Sequence, residues 1–210
     1  MDTQTLRAQF DAVAAVYDQQ RPLLIPCYAD FYAAGLPWLQ ALPMGSRVLD
    51  LGAGTGLFSY LVYQQRPDLQ LTLVDIAPQM LAVARQRFAG LPQVSFQEVD
   101  FTRQSLPGRY EAIISSLAIH HLPSPAKADL YQRCYAALEP GGFLLNADQV
   151  AGRTPGVDAW LRRQWRATVQ TSGLTPEAIA QAFARTQLDD FDPLEAQLRM
   201  LEQAGFEEVD

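Results

Sequence analysis

Between positions 48 and 56 the chain reads Val-Leu-Asp-Leu-Gly-Ala-Gly-Thr-Gly. A short apolar run that stops at glycines and is followed by a helical stretch constrains the fold more than any other feature. Glycines at 52, 54 and 56 let the backbone turn sharply and approach a ligand, with free amides at the helix start. The spacing is G-x-G-x-G. The dinucleotide fingerprint G-x-G-x-x-G needs glycine at 57, where this chain has Leu57. A pyrophosphate requires a longer stretch of amides. A shorter loop preceded by an acid, Asp50, suits a ligand that bears an ammonium group.

The surrounding pattern alternates strands with helices. Strands are expected at 47–51, 71–75, 94–99, 110–117 and 143–147. Helices are expected at 58–65, 78–88 and 126–138, the last stopped by Pro140-Gly141-Gly142. Strands separated by helices imply right-handed crossovers and a mostly parallel α/β sheet. Before this core, 5–17 and 28–42 read as helices, with Pro22 and Pro26 breaking the chain between them. After it, 155–170, 176–186 and 193–204 read as three consecutive helices, with Asp192-Pro193 as a cap and first-turn proline. Residues 206–210 look like the opening of a sixth strand. The expected organisation is a helical cover (1–45), a ligand-binding core (46–150) and a helical insert serving as substrate lid (151–210), all within one domain.

Composition narrows the function classes. The chain has 210 residues, 49% of them hydrophobic, which suffices for a sizeable core. Its formal net charge is −7, which disfavours a nucleic-acid partner held through phosphates and leaves a small molecule as the expected partner. Cys27 and Cys134 form no CxxC pair, so a reduced, cytoplasmic chain is expected. No signal peptide and no run of about 18 apolar residues is visible, so no membrane partner is expected. A monomer or a homodimer fits this chain equally.

Two further acids stand at strand ends. Asp75 closes the second strand about 20 residues after the glycine loop, where a carboxylate can accept from both ribose hydroxyls. Asp100 ends the third, followed by Phe101; a carboxylate there can accept from an exocyclic amine while the ring packs on a base. Together with the loop, they occupy successive carboxyl ends of a parallel sheet, where ligands bind in such folds.

These stretches, with Ser115-Ser-Leu-Ala-Ile-His-His121 and Leu138-Glu-Pro-Gly-Gly142, resemble the ordered motifs of class I S-adenosylmethionine (SAM)-dependent methyltransferases over residues 45–150. Phe10-Asp11, Tyr17-Asp18 and Arg21-Pro22 resemble a subgroup whose leading helices cover the cofactor. The resemblance implies a Rossmann-like, doubly wound sheet in the order 3-2-1-4-5, with helices on both faces. It also implies a closing hairpin of strands six and seven, which is expected to be missing from this chain. It implies SAM as cofactor. Gly52 and Gly54 would lie against its methionine portion, Asp75 against the ribose, Asp100 and Phe101 against the adenine, and Ser116 and Leu117 beside the sulfonium. Ala53, Ile76 and Met80 are carried over as further cofactor contacts.

The implied reaction is direct displacement at the methyl carbon, moving the methyl group to a small-molecule acceptor. The electrophile arrives activated, so alignment and electrostatics are the protein's main contribution. His120, beside His121 after strand four, is the candidate general base. Tyr17 is a candidate for a place over the sulfonium or as a cap on the substrate. Arg21 is the candidate partner of the cofactor carboxylate, and Asp148 points where an acceptor amine or hydroxyl would sit. Trp160 and Trp165 fall in the insert that would roof the acceptor. No metal constellation is expected, since adjacent histidines do not easily ligate one ion and no second His/Cys cluster exists. The competing readings are an oxidoreductase using a nucleotide cofactor, disfavoured by Leu57, and a non-catalytic SAM-binding module.

Overall fold

The computed structural model describes residues 3–210, so the first two residues of the expected cover lie outside the described part. Five strands, β1 (Arg47–Leu51), β2 (Gln70–Asp75), β3 (Val94–Glu98), β4 (Tyr110–Ser116) and β5 (Leu138–Ala147), form one sheet in the order β3-β2-β1-β4-β5, with every pairing parallel. The register decides the site. Leu51 pairs with Val74 on one side and Ser115 on the other, so Gly52, Asp75 and Ser116 emerge side by side at the carboxyl edge.

The helices are α1 (Thr3–Val13), α2 (Tyr17–Leu24), α3 (Tyr28–Ala33), α4 (Leu36–Gln40), α5 (Leu57–Gln65), α6 (Pro78–Arg87), α7 (Ser124–Ala137), α8 (Pro155–Gln170), α9 (Pro176–Arg185) and α10 (Leu194–Ala204). Strand side chains alternate between faces, which divides the core into two layers. Val48, Leu71, Leu73, Ala112 and Ile114 pack with Tyr32, Phe58, Val62 and Phe88. Leu49, Leu51, Val74 and Ile113 face the other way, against Leu130, Tyr131 and Cys134 of α7 and Leu201 of α10. Each fully buried Leu or Ile contributes about 1.5–3 kcal/mol.

Several expectations need correction. The first helix ends at Val13, and Tyr17 opens α2 instead of closing α1. Pro22 sits inside α2 without breaking it, because a proline withdraws one amide and the next bond, Ile25 N–H to Arg21 O at 3.0 Å, still forms. The helix expected at 28–42 is two helices. Gly35 interrupts it, with Leu145 so close that a Cβ there would lie 2.5 Å from its Cδ2, and Pro37 opens α4. The guanidinium of Arg66 then ties the end of α4 to the core through the carbonyls of Leu39, Gln40 and Leu42, at 2.8 to 3.0 Å. Strand β5 starts at Leu138, before the Pro-Gly-Gly turn, and its register with β4 is irregular between Tyr110 and Ala112. Asp192 caps no helix; its carboxylate goes to Lys127.

Residues 206–210 are not a strand. Gly205 turns the chain at φ 106°, Glu208 has φ 53°, and Phe206 packs its ring edge-on to Tyr135 at 5.3 Å. A strand needs a ladder to join, and no strand among the described residues pairs with this segment or with the outer edge of β5. No helix among the described residues is long and apolar enough to cross a membrane.

Candidate active site

The glycine loop is a cradle with one closed and one open wall. Gly56 (φ 72°) lets α5 start hard against the core: a Cβ there would meet Phe88 at 2.9 Å and Leu73 at 3.0 Å. Gly54 (φ 55°) is the opposite case, since a Cβ there would meet nothing within 4 Å and would project into open space above the loop. The carboxylate of Asp75 sits beside that space. It accepts from Gly54 N–H at 2.7 Å and Ala77 N–H at 2.8 Å. Burial pushes its pKa up to about 6, against the opposing pull of these amides. Asp50 lies buried beneath the loop and accepts from Ser59 Oγ at 2.6 Å. Burial raises it to about 7, and the negative charge of Asp75 adds to the shift.

Other expected site residues differ in how open they are. Phe101 packs beside Gly52 and joins the α7 layer. Asp100 is turned into its own loop, where it accepts from Thr102 N–H at 3.0 Å and lies 3.9 Å from Arg103. Met80 is buried between α6 and the cover, against Val13 and Ala14, while Ile76 and Ala53 stay partly exposed. Ser116 Oγ is buried without a hydrogen-bond partner. Leu117 follows it at φ 53°, a conformation that costs a branched residue roughly 1–2 kcal/mol.

The helical cover is fastened to this edge by polar contacts that sequence spacing did not reveal. Asp11 of α1 accepts from Gln79 N–H at 2.8 Å, capping α6 from another element. Asp18 of α2 accepts from Thr55 Oγ1, inside the glycine loop, at 2.6 Å and pairs with Arg87. Tyr17 is half-buried, and desolvation of its hydroxyl raises the pKa. The Arg21 guanidinium lies 4.9 Å over its ring, and Arg21 Nε has no hydrogen-bond partner. Arg185, at the end of α9, faces the same crevice, and desolvation there lowers its pKa.

Beyond Leu117 stand the two histidines. His120 Nδ1 lies 2.5 Å from Asp148 Oδ1 and its main-chain N–H donates to Asp148 Oδ2 at 2.9 Å. Asp189, from the strap between α9 and α10, lies 3.5 Å from His120 Nε2 and 2.9 Å from His121 Nδ1. Burial works against a charged His120, but the two carboxylates outweigh it and hold its pKa up at about 9. His121 is shifted down by burial and by its neighbour His120. Asp189 and Arg185 were absent from the sequence reading. Buried histidines demand counter-charges, but nothing local in the sequence says which distant acid supplies one.

A second cavity of about 350 Å³ opens from Leu117 and Asp148 and runs between the cover and the insert. It is lined by Ile25, Phe31, Leu161, Trp165 and Phe191, among others. Trp165 anchors this roof by donating Nε1–H to Leu24 O at 2.9 Å. Trp160, expected in the same roof, is exposed instead.

A family model described as "Methyltransferase domain" matches residues 48–142, from the first strand through the Pro-Gly-Gly turn. Those residues form a methyltransferase domain. Among curated proteins it is 35% identical to a malonyl-(acyl-carrier protein) O-methyltransferase of Marinomonas sp., over 74% of this chain and 56% of that protein. It is 34% identical to a ubiquinone biosynthesis O-methyltransferase of Xanthomonas campestris pv. campestris, over 67% of this chain and 56% of that protein. The chain thus spans little more than half the length of these relatives. In fold the chain is similar to phosphoethanolamine N-methyltransferase 2 of Haemonchus contortus, solved with S-adenosyl-L-methionine. The TM-score is 0.62 at 23% identity, covering 84% of this chain and 36% of that one.

Proposed function

We propose that the chain binds SAM along the carboxyl edge of its sheet and transfers the methyl group to a small, partly hydrophobic acceptor. The observation that carries this reading is the open wall at Gly54 beside the buried Asp75 carboxylate: backbone amides, an acid and free space occur together where a nucleoside would lie. Two buried polar atoms without partners, Arg21 Nε and Ser116 Oγ, fit a polar ligand.

When bound, the cofactor supplies an already activated methyl carbon. Asp75 accepts from the ribose hydroxyls, and Asp50, beneath the loop, offsets the charge of the ammonium group. Arg21 takes the carboxylate as a two-point fork. Gly52, Ala53, Ile76 and Met80 shape the wall, and Phe101 with Asp100 serves the adenine. Ser116, Leu117 and the ring of Tyr17 surround the sulfonium. The cover of 1–45 closes over the cofactor and the insert of 151–210 roofs the acceptor in the apolar cavity. The two curated relatives described above are O-methyltransferases by name, which favours an oxygen acceptor. His120 is a neighbour of that acceptor rather than a free base, because both of its ring nitrogens face carboxylates. The two unpaired cysteines support a reducing, cytoplasmic setting.

Equilibrium dialysis with radiolabelled SAM tests the binding half, and incubation with tritiated-methyl SAM and a panel of phenolic and carboxylic acceptors tests the transfer. A folded sample that takes up no SAM would end this reading.

A further inference from the structure

Three donor atoms outside the cofactor cradle converge on one point. His120 Nε2, His121 Nδ1 and a carboxylate oxygen of Asp189 all lie within 4.8 Å of one another. The side chains are 5%, 10% and 5% exposed. At 2.9 Å from Asp189, His121 Nδ1 still has no aligned hydrogen bond, so a buried ring nitrogen lies beside a carboxylate without being satisfied by it. The geometry points to a binding site for a divalent transition-metal ion, zinc being the closest match, held by His120, His121 and Asp189 at the acceptor end of the pocket.

Distances support it. Donors placed at about 2.0–2.2 Å around a tetrahedral zinc lie about 3.3 Å apart. The two measured separations, 2.9 and 3.5 Å, bracket that value. Adjacent histidines normally diverge, and the structure shows how these do not. The left-handed turn at Leu117 leads into a single tight turn over residues 119–121, and the rings lie 4.0 Å apart, tilted by 51°. One ring presents its far nitrogen and the next its near nitrogen to the same oxygen.

The outer partners are also built. Asp148 on His120 Nδ1 leaves Nε2 as the nitrogen that faces the ion, the carboxylate–histidine–metal arrangement that orients such ligands. Asp189 is delivered by a fixed strap. Asp190 N–H donates to His120 O at 2.9 Å, and Ala151 N–H to Asp192 O at 2.9 Å. The fully buried Lys127 pairs with Asp192 at 2.6 Å, and Ser124 Oγ donates to it at 2.7 Å. Asp148 and Asp189 bring two negative charges into a dry region. A dication held by Asp189 meets one of them at contact and acts on Asp148 through the His120 ring. The three donors line a cavity of about 60 Å³ with Tyr17, Gln149 and Arg185, so a fourth position stays open to water or to a ligand oxygen.

Isothermal titration of the metal-stripped full chain with zinc chloride, with bound metal counted by mass spectrometry, tests the site. One ion per chain is expected. Asp189→Asn and His121→Ala should each weaken uptake by at least about tenfold, Asp148→Asn should weaken it by about 10–100-fold, and Cys27→Ser should leave it unchanged. Cobalt loading of the unaltered chain should give the visible bands of a four-coordinate nitrogen–oxygen site without thiolate charge transfer, a readout that stands even if a variant does not fold. No stoichiometric uptake, uptake abolished by Cys27→Ser, or a thiolate cobalt spectrum would each overturn the assignment.

Discussion

Asp18 and Thr55 share a 2.6 Å hydrogen bond across 37 residues of chain, joining the N-terminal helices to the glycine loop. The same carboxylate pairs with Arg87 of α6, so one side chain holds three elements together. Asp18→Ala should cost about 1–3 kcal/mol of stability, because it leaves a partly buried guanidinium and a buried hydroxyl without their acceptor. It should also weaken binding of S-adenosylhomocysteine severalfold. Chemical denaturation and calorimetry check the two parts separately, and unchanged values in both would show the cover to be held by apolar contacts alone.

Two glycines two residues apart should respond in opposite ways. Gly54→Ala places a Cβ in open space, so its cost is the left-handed backbone alone, about 1 kcal/mol, while cofactor affinity falls by about tenfold or more. Gly56→Ala drives a Cβ into Phe88 and Leu73 and should lower Tm much further. Paired melting curves and binding isotherms distinguish the two.

Carboxyl groups raised by burial make the ligand-free protein more stable in mild acid. Asp50 near 7 and Asp75 near 6 contribute stability that is fully present below about pH 4 and is lost as pH rises through those values. Tm should therefore fall between pH 4.5 and 7. Asp50→Asn should flatten that slope and raise Tm at pH 7 by about 3 °C or more. A slope that the substitution leaves unchanged would place the titration elsewhere.

Lys127 is fully buried and meets Asp192 at 2.6 Å and the carbonyl of Asp190. Lys127→Met strands a carboxylate and should destabilise by about 3–5 kcal/mol. Adding Asp192→Asn should recover part of that loss, giving a double-mutant coupling above about 1 kcal/mol.

The sheet was legible because its strands are short apolar runs between turn residues, and β1 ends at glycines whose spacing has a chemical meaning. Asp75 was legible as the last residue of its run. The break at Gly35 was not, since it depends on Leu145 from a strand more than a hundred residues later. Lys127 reads in sequence as a solvated helix residue and becomes buried only when the strap brings Asp192 to it. Asp189 lay beyond reach for the same reason: what makes it matter is the pair of imidazoles it meets, and no periodicity links them. Local pattern carried the glycine loop, and long-range charge pairing built the surroundings of the two histidines.

Asp11 caps a helix that belongs to the core, so lifting the cover removes the acceptor from the first turn of α6. That turn also begins at Ala77, whose amide grips Asp75. The integrity of that helix start and the setting of the Asp75 carboxylate are thereby coupled through a single side chain of the N-terminal segment.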